Sequence, residues 1–138
     1  MTKTDDNCIF CKIIKGEIPS NKIYDDEDFM VMLDISPASK GHAVLLPKYH
    51  AENLFELPDE YKEKALKVAG KCAAAIKKTL NCDGINILQN NGEAAGQTVF
   101  HFHIHIIPRM SGDNLGITWV QKTAEDNEKL AEEIKSNM

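Results

Sequence analysis

Histidine and apolar residues alternate strictly from Phe100 to Ile106, inside the stretch Thr98-Val-Phe-His-Phe-His-Ile-His-Ile-Ile-Pro108. A period of two predicts a β-strand. Side chains two apart share a face and lie about 6.6–6.8 Å apart along the strand. His101, His103 and His105 are therefore expected on one face, with Phe102, Ile104 and Ile106 on the other. Pro108 cannot donate to a ladder and is expected to end the strand. Shorter strands are expected at Lys22–Asp25, at Asp28–Leu33 and from Gly41 to Pro47. A fourth is expected at Gly84–Gln89.

The period changes to that of a helix from Pro58 to Leu80. Tyr61, Ala65, Val68, Ala69, Cys72, Ile76 and Leu80 form one apolar stripe. Pro58 suits a first turn; Asp59 and Glu60 sit at the positive end of the dipole, and Lys77 and Lys78 at the negative end. After Cys8-Ile-Phe-Cys11, Lys12–Lys15 can continue one or two helical turns that Gly16 stops. Asn90–Gln97 is a polar loop of small residues, a composition that lets backbone amides approach an anion. Residues 125–135 can form a last surface helix, but a solvated tail is the favoured reading.

Composition narrows the class. The 138 residues fit one domain, able to bury roughly two-thirds of its unfolded surface. No stretch is apolar enough to span a membrane, and the polar N-terminus lacks a signal-peptide core. A soluble, cytoplasmic protein is expected. The net charge of −5 argues against a nucleic-acid groove. In that compartment the close pair Cys8 and Cys11 points to metal or redox chemistry rather than to a disulfide framework. Cys72 reads as a small core residue, and Cys82 has no neighbour to pair with.

Five histidines and two cysteines support two chemistries. Three strand histidines can hold a hydrolytic zinc ion. Alternatively, Cys8 and Cys11 supply half of a closed zinc site and two histidines complete it, leaving the others free, one as a nucleophile. Assigning the strand histidines to the metal would leave the cysteine pair without a purpose. Spacing alone does not fix which histidines pair with the cysteines. Asp34 reads either as a turn residue or as an acceptor for ribose hydroxyls.

The run His101-Phe-His103-Ile-His105-Ile-Ile, preceded by Gly96-Gln97-Thr98, resembles the signature of the histidine triad (HIT) family. Cys8-Ile-Phe-Cys-Lys-Ile-Ile, Leu33-Asp-Ile-Ser-Pro37, Gly41-His-Ala-Val-Leu-Leu-Pro-Lys-Tyr-His50 and Asn90-Asn-Gly extend the likeness over most of the chain, toward bacterial members of the Hint-type branch. The resemblance implies an α+β fold with a five-stranded antiparallel sheet and one long helix. It also implies a homodimer joined through that helix and the following strand. Residues 1–138 would be a single HIT domain with a polar tail at 1–7 and a variable tail at 110–138.

The implied activity is that of a nucleotide-binding hydrolase. It would cleave purine nucleoside phosphoramidates and release AMP or GMP through a nucleotidyl-histidine on His103. Dinucleoside polyphosphate hydrolysis, or regulatory nucleotide binding with incidental turnover, are the alternatives. The resemblance places His105 near the phosphate and His42 in the supporting histidine network. It puts Gln97 and Thr98 on phosphate and leaving-group oxygens and Asn90 by the nucleotide phosphate, within the loop that includes Gly96. Asp34 would accept from the ribose, and Phe10, Ile13 and Ile35 would sandwich the base. Structural zinc would be held by Cys8, Cys11, His50 and His101; no organic cofactor is implied. Met32 stands where the base pocket often has Phe, and the tail with Trp119 differs from the short Trp-containing end of eukaryotic Hint proteins.

Overall fold

The computed structural model describes residues 3–138, so Met1 and Thr2 of the expected 1–7 tail lie outside it. The elements are α1 (Ile9–Ile14), β1 (Lys22–Asp25), β2 (Phe29–Leu33), β3 (Ala43–Pro47), α2 (Asp59–Leu80), β4 (Gly84–Leu88), β5 (Ile104–Arg109) and α3 (Asn127–Ser136). The strands form one sheet in the order β1-β2-β3-β5-β4, every neighbouring pair antiparallel. The α+β class and the sheet with its one long helix agree with expectation.

Both faces of the sheet are covered. The α2 stripe packs on Phe29, Val31, Ala43, Leu45, Phe102, Ile104 and Ile106. On the opposite face Met30, Met32, Val44 and Leu46 pack against Ile13 of α1. This explains why β2 and β3 read as continuous apolar runs rather than as alternations. α2 begins after Pro58 and ends at Asn81, whose φ of 52° is left-handed and whose N–H caps Lys77 O at 2.8 Å.

Two expectations need correction. Ladder pairing in β5 starts at Ile104, not at Thr98. Pro47 closes β3, and its carbonyl accepts from the His101 ring at 2.9 Å instead of from the backbone of β5. The last β3–β5 pair is therefore Leu45 with Ile104. Phe102 nonetheless packs in the same core cluster as Ile104 and Ile106. At the other end β5 runs past Pro108 to Arg109. Pro108 O accepts from Ser39 Oγ at 2.7 Å, so its nitrogen also faces the side where β3 has not yet begun and no ladder donor is needed.

The C-terminal segment differs as well. Residues 127–136, favoured as a solvated tail, are helical, although every residue of that helix is exposed. Its Leu130 and Ile134 lie one turn apart and face solvent. The chain is pinned upstream by Arg109, which meets Asp113 through two 2.7 Å bonds and Asn86 of β4 through a third.

Candidate active site and metal centre

The two ends of β3, which carry His42 and His50, and the run leading into β5, which carries His101, His103 and His105, bring all five histidines together, where they form two groups. In the first, the donor atoms of Cys8, Cys11, His50 and His101 all lie within 4.8 Å of one another. His101 Nδ1 is 3.5 Å from each thiol sulfur, His50 Nδ1 is 3.5 Å from Cys11 Sγ, and the two Nδ1 atoms are 3.2 Å apart. A tetrahedral zinc ion, with bonds of about 2.3 Å to sulfur and 2.0–2.1 Å to nitrogen, would space sulfur from nitrogen by about 3.5 Å and nitrogen from nitrogen by about 3.3 Å. The donor set fits that ion.

The outer atoms of this set are anchored. His101 Nε2–H donates to Pro47 O, which turns the Nδ1 lone pair inward. His50 Nε2 faces Asp5 Oδ2 at 3.7 Å. Cys8 caps α1, its sulfur accepting from Cys11 N at 3.4 Å. Burial pushes the Cys11 thiol up to about 11 and His101 down to about 4. Both shifts oppose charge, so a thiolate here needs a cation beside it.

In the second group, hydrogen bonds assign every ring proton. Ala38 N–H donates to His42 Nδ1 at 2.9 Å. His42 therefore carries its proton on Nε2 and donates it to His105 Nδ1, also at 2.9 Å. His105 in turn carries a proton on Nε2. His103 Nδ1–H donates to His101 O at 2.7 Å, leaving its Nε2 unprotonated. Burial lowers His103 and His42, and burial with the neighbouring His103 and His42 takes His105 down to about 4. All three rings are neutral near pH 7.

Beside these rings lies a mostly apolar cavity of ≈ 440 Å³. Of the expected nucleotide residues, Phe10, Ile13, Asp34, Ile35, Thr98, His103 and His105 line it. The edge of Phe10 approaches His103, with 5.1 Å between ring centroids. Asp34 Oδ1 accepts from Ser36 N at 2.8 Å, and Oδ2 lies 3.6 Å from His42 Nε2. Ile9, Ile18, Pro19 and Val99 also line the cavity, and the sequence reading did not single them out. The apolar pair Ile18-Pro19 just after the Gly16 turn was the available signal.

Asn90, Gly96 and Gln97 lie outside that lining. Gln97 is 2 % exposed; its amide donates to Glu52 O and Val99 O, and its carbonyl accepts from Gly92 N. Gly96 has φ +99°, and a Cβ there would sit 3.4 Å from the Asn90 amide. The amides of Ala95, Gly96 and Gln97 bond to carbonyls within the loop. The three strand histidines do not converge either: His101 turns to the cysteines, and His103 belongs to none of the donor clusters among the described residues.

A model of the HIT domain matches residues 15–112. The chain belongs to the HIT family. It is 50% identical over 125 residues to "Protein hit" of Bacillus subtilis, covering 90% of this chain and 85% of that one. It is 41% identical to the adenosine 5'-monophosphoramidase hnt1 of Schizosaccharomyces pombe, covering 96% and 98%. The crystal structure of a Zn-bound histidine triad family protein from Mycobacterium smegmatis matches with a TM-score of 0.77 and 35% identity, covering 96% of this chain and 98% of that one. Among the described residues, no helix of this HIT protein is long and apolar enough to cross a membrane.

Proposed function

We propose that the protein is a nucleoside phosphoramidase, cleaving purine nucleoside phosphoramidates to the nucleoside monophosphate and a free amine. The observation that carries this reading is the His103 ring, held by His101 O with its bare Nε2 beside a nucleotide-sized cavity. The similarity to a named adenosine 5'-monophosphoramidase supports it.

In this reading the base lies between Phe10, Ile13 and Ile35, and Asp34 Oδ2 accepts from the ribose. His103 Nε2 attacks the α-phosphorus. The phosphorus–nitrogen bond breaks, and the amine takes a proton from His105 Nε2–H. The proton on His42 Nε2 then shifts toward His105 Nδ1, spreading over the two rings the negative charge left by the departed proton, while the phosphorylated His103 ring with its Nδ1–H carries the balancing positive charge. Water next attacks the nucleotidyl-histidine, releases the monophosphate and restores the protons. Neutral rings suit both steps, since the nucleophile must be unprotonated. Thr98 is the loop side chain on the groove, so it is assigned to phosphate oxygens. Gln97 acts by bracing the loop, and Asn90 by packing against Gly96.

Cys8, Cys11, His50 and His101 would hold a zinc ion with no open position, which would supply structural cross-linking of the N-terminal segment to the start of β5. The reading includes a homodimer. β4 is the last strand of the sheet, so its outer edge is unpaired, and Ile87 on it and Leu66 on α2 are exposed. Four free thiols suit a reducing cytoplasm. The test is AMP release from adenosine 5′-phosphoramidate by the native protein and by His103→Ala. Robust native turnover lost in the variant is the expected result; turnover that survives in the variant would overturn the mechanism.

A further inference from the structure

We infer that the metal set and the nucleotide groove are thermodynamically linked, so that filling the Cys8/Cys11/His50/His101 set tightens nucleotide binding and bound nucleotide retards loss of the metal. The inference rests on the reading of the groove as a nucleotide site.

Two connections carry it. The first is α1. Six residues are too few for a helix to hold itself. Cys8 caps it and Cys11 lies one turn on, both in the metal set. Phe10 and Ile13, interleaved with those cysteines, form a wall of the groove. One and a half turns cannot rotate one face without rotating the other. The Phe10 ring lies between the two sites, 6.0 Å from the His101 centroid and 5.1 Å from that of His103. The second connection is His101 itself. Its Nδ1 enters the metal set and its Nε2–H is fixed on Pro47 O. Its carbonyl holds the proton that keeps His103 Nε2 bare. His101 is thus a positioning residue for the nucleophile, and an ion on its ring fixes the peptide that orients His103.

Ile13 packs on Met30, Met32, Val44 and Leu46, contacts that involve no metal donor, which makes the coupling finite rather than all-or-none. Linkage is reciprocal, so both sites should show the same factor, about tenfold.

The experiment has two arms. AMP is titrated calorimetrically onto zinc-loaded protein and onto protein stripped to verified low metal. Separately, zinc loss from loaded protein to an excess of chromophoric chelator is timed with and without saturating AMP. AMP should bind about tenfold more tightly to the loaded form, and saturating AMP should slow zinc loss. Equal affinities together with unchanged release would overturn the linkage. If stripped protein does not stay folded, the release arm decides alone, because it starts from loaded protein. Phe10→Ala touches no donor atom and should lose most of the protection by AMP; full protection in that variant would overturn α1 as the carrier. No binding of AMP to loaded native protein would instead remove the nucleotide reading, and this inference with it.

Discussion

Two groups of imidazoles sit side by side in this protein, and they differ in where their protons are. In the Cys8/Cys11/His50/His101 group, the His101 Nδ1 lone pair lies 3.2 Å from His50 Nδ1 and 3.5 Å from both thiol sulfurs, so four ligand atoms crowd together. In the His42/His103/His105 group each contact pairs one donor with one acceptor, from Ala38 N–H through His42 to His105, and from His103 to a carbonyl. The first arrangement suits a cation and the second does not need one. The same residue type, at the same spacing along one strand, is committed to opposite chemistry by what its second nitrogen touches. His101 belongs to both groups, by its ring to one and by its carbonyl to the other.

The contrast is sharpest under two substitutions. His103→Ala should lower phosphoramidate turnover by about 10³-fold or more, because it removes the attacking atom. Metal analysis of the same variant should still find zinc. If the proposed zinc is bound, Cys11→Ser should do the reverse in kind, losing most of the zinc and lowering the melting temperature by about 10 °C, since metal binding would then contribute to folding free energy. A His103→Ala protein stripped of zinc, or a Cys11→Ser protein with full zinc and an unchanged melt, would merge the two groups into one.

His42→Ala is the next largest effect, roughly 10²-fold in turnover. It leaves AMP affinity nearly unchanged, because His42 does not line the groove. Without it His105 Nδ1 has no donor, and its proton is no longer confined to Nε2. Titration calorimetry beside steady-state rates separates these outcomes; a loss of AMP affinity equal to the loss of rate would assign His42 to binding instead.

Local pattern explains what was legible beforehand. The period-two run placed Phe102, Ile104 and Ile106 in the core, and the stripe from Tyr61 to Ile76 placed α2 on them. The gathering of Cys8, Cys11, His50 and His101 was legible only through the family pattern, since His50 and His101 are 51 residues apart. Contacts made by distant carbonyls were not legible. The resemblance put Gln97 on phosphate oxygens; that its amide is held by Glu52 O, 45 residues away, had no local signal. The late start of β5 depends on Pro47, 54 residues before His101. Residues 127–136 are helical where a solvated tail is the favoured expectation, and that helix buries no residue, so no core contact marks it in the pattern. Ring protons are set entirely by such partners, so the division of the histidines emerges only in three dimensions.

The smallest effect is also the one that tests the neutral group most directly. His105, at about 4 in the folded chain, returns to about 6.5 when unfolded. Above pH 6.5 the ring is neutral in both states and contributes no slope. Between 6.5 and about 4 the unfolded chain binds a proton that the folded chain refuses, so stability falls as pH falls. Below about 4 the folded ring also protonates and the slope fades. His42, lowered by burial, acts in the same direction. Acid also loosens thiolate–metal bonds, so the deciding comparison is native protein against His105→Asn, with metal content followed in both. Urea midpoints of the native chain should fall more steeply than those of the variant across this window. Parallel curves would mean that His105 takes up its proton over the same pH range in the folded and unfolded chains, which would overturn the lowered value of the buried ring.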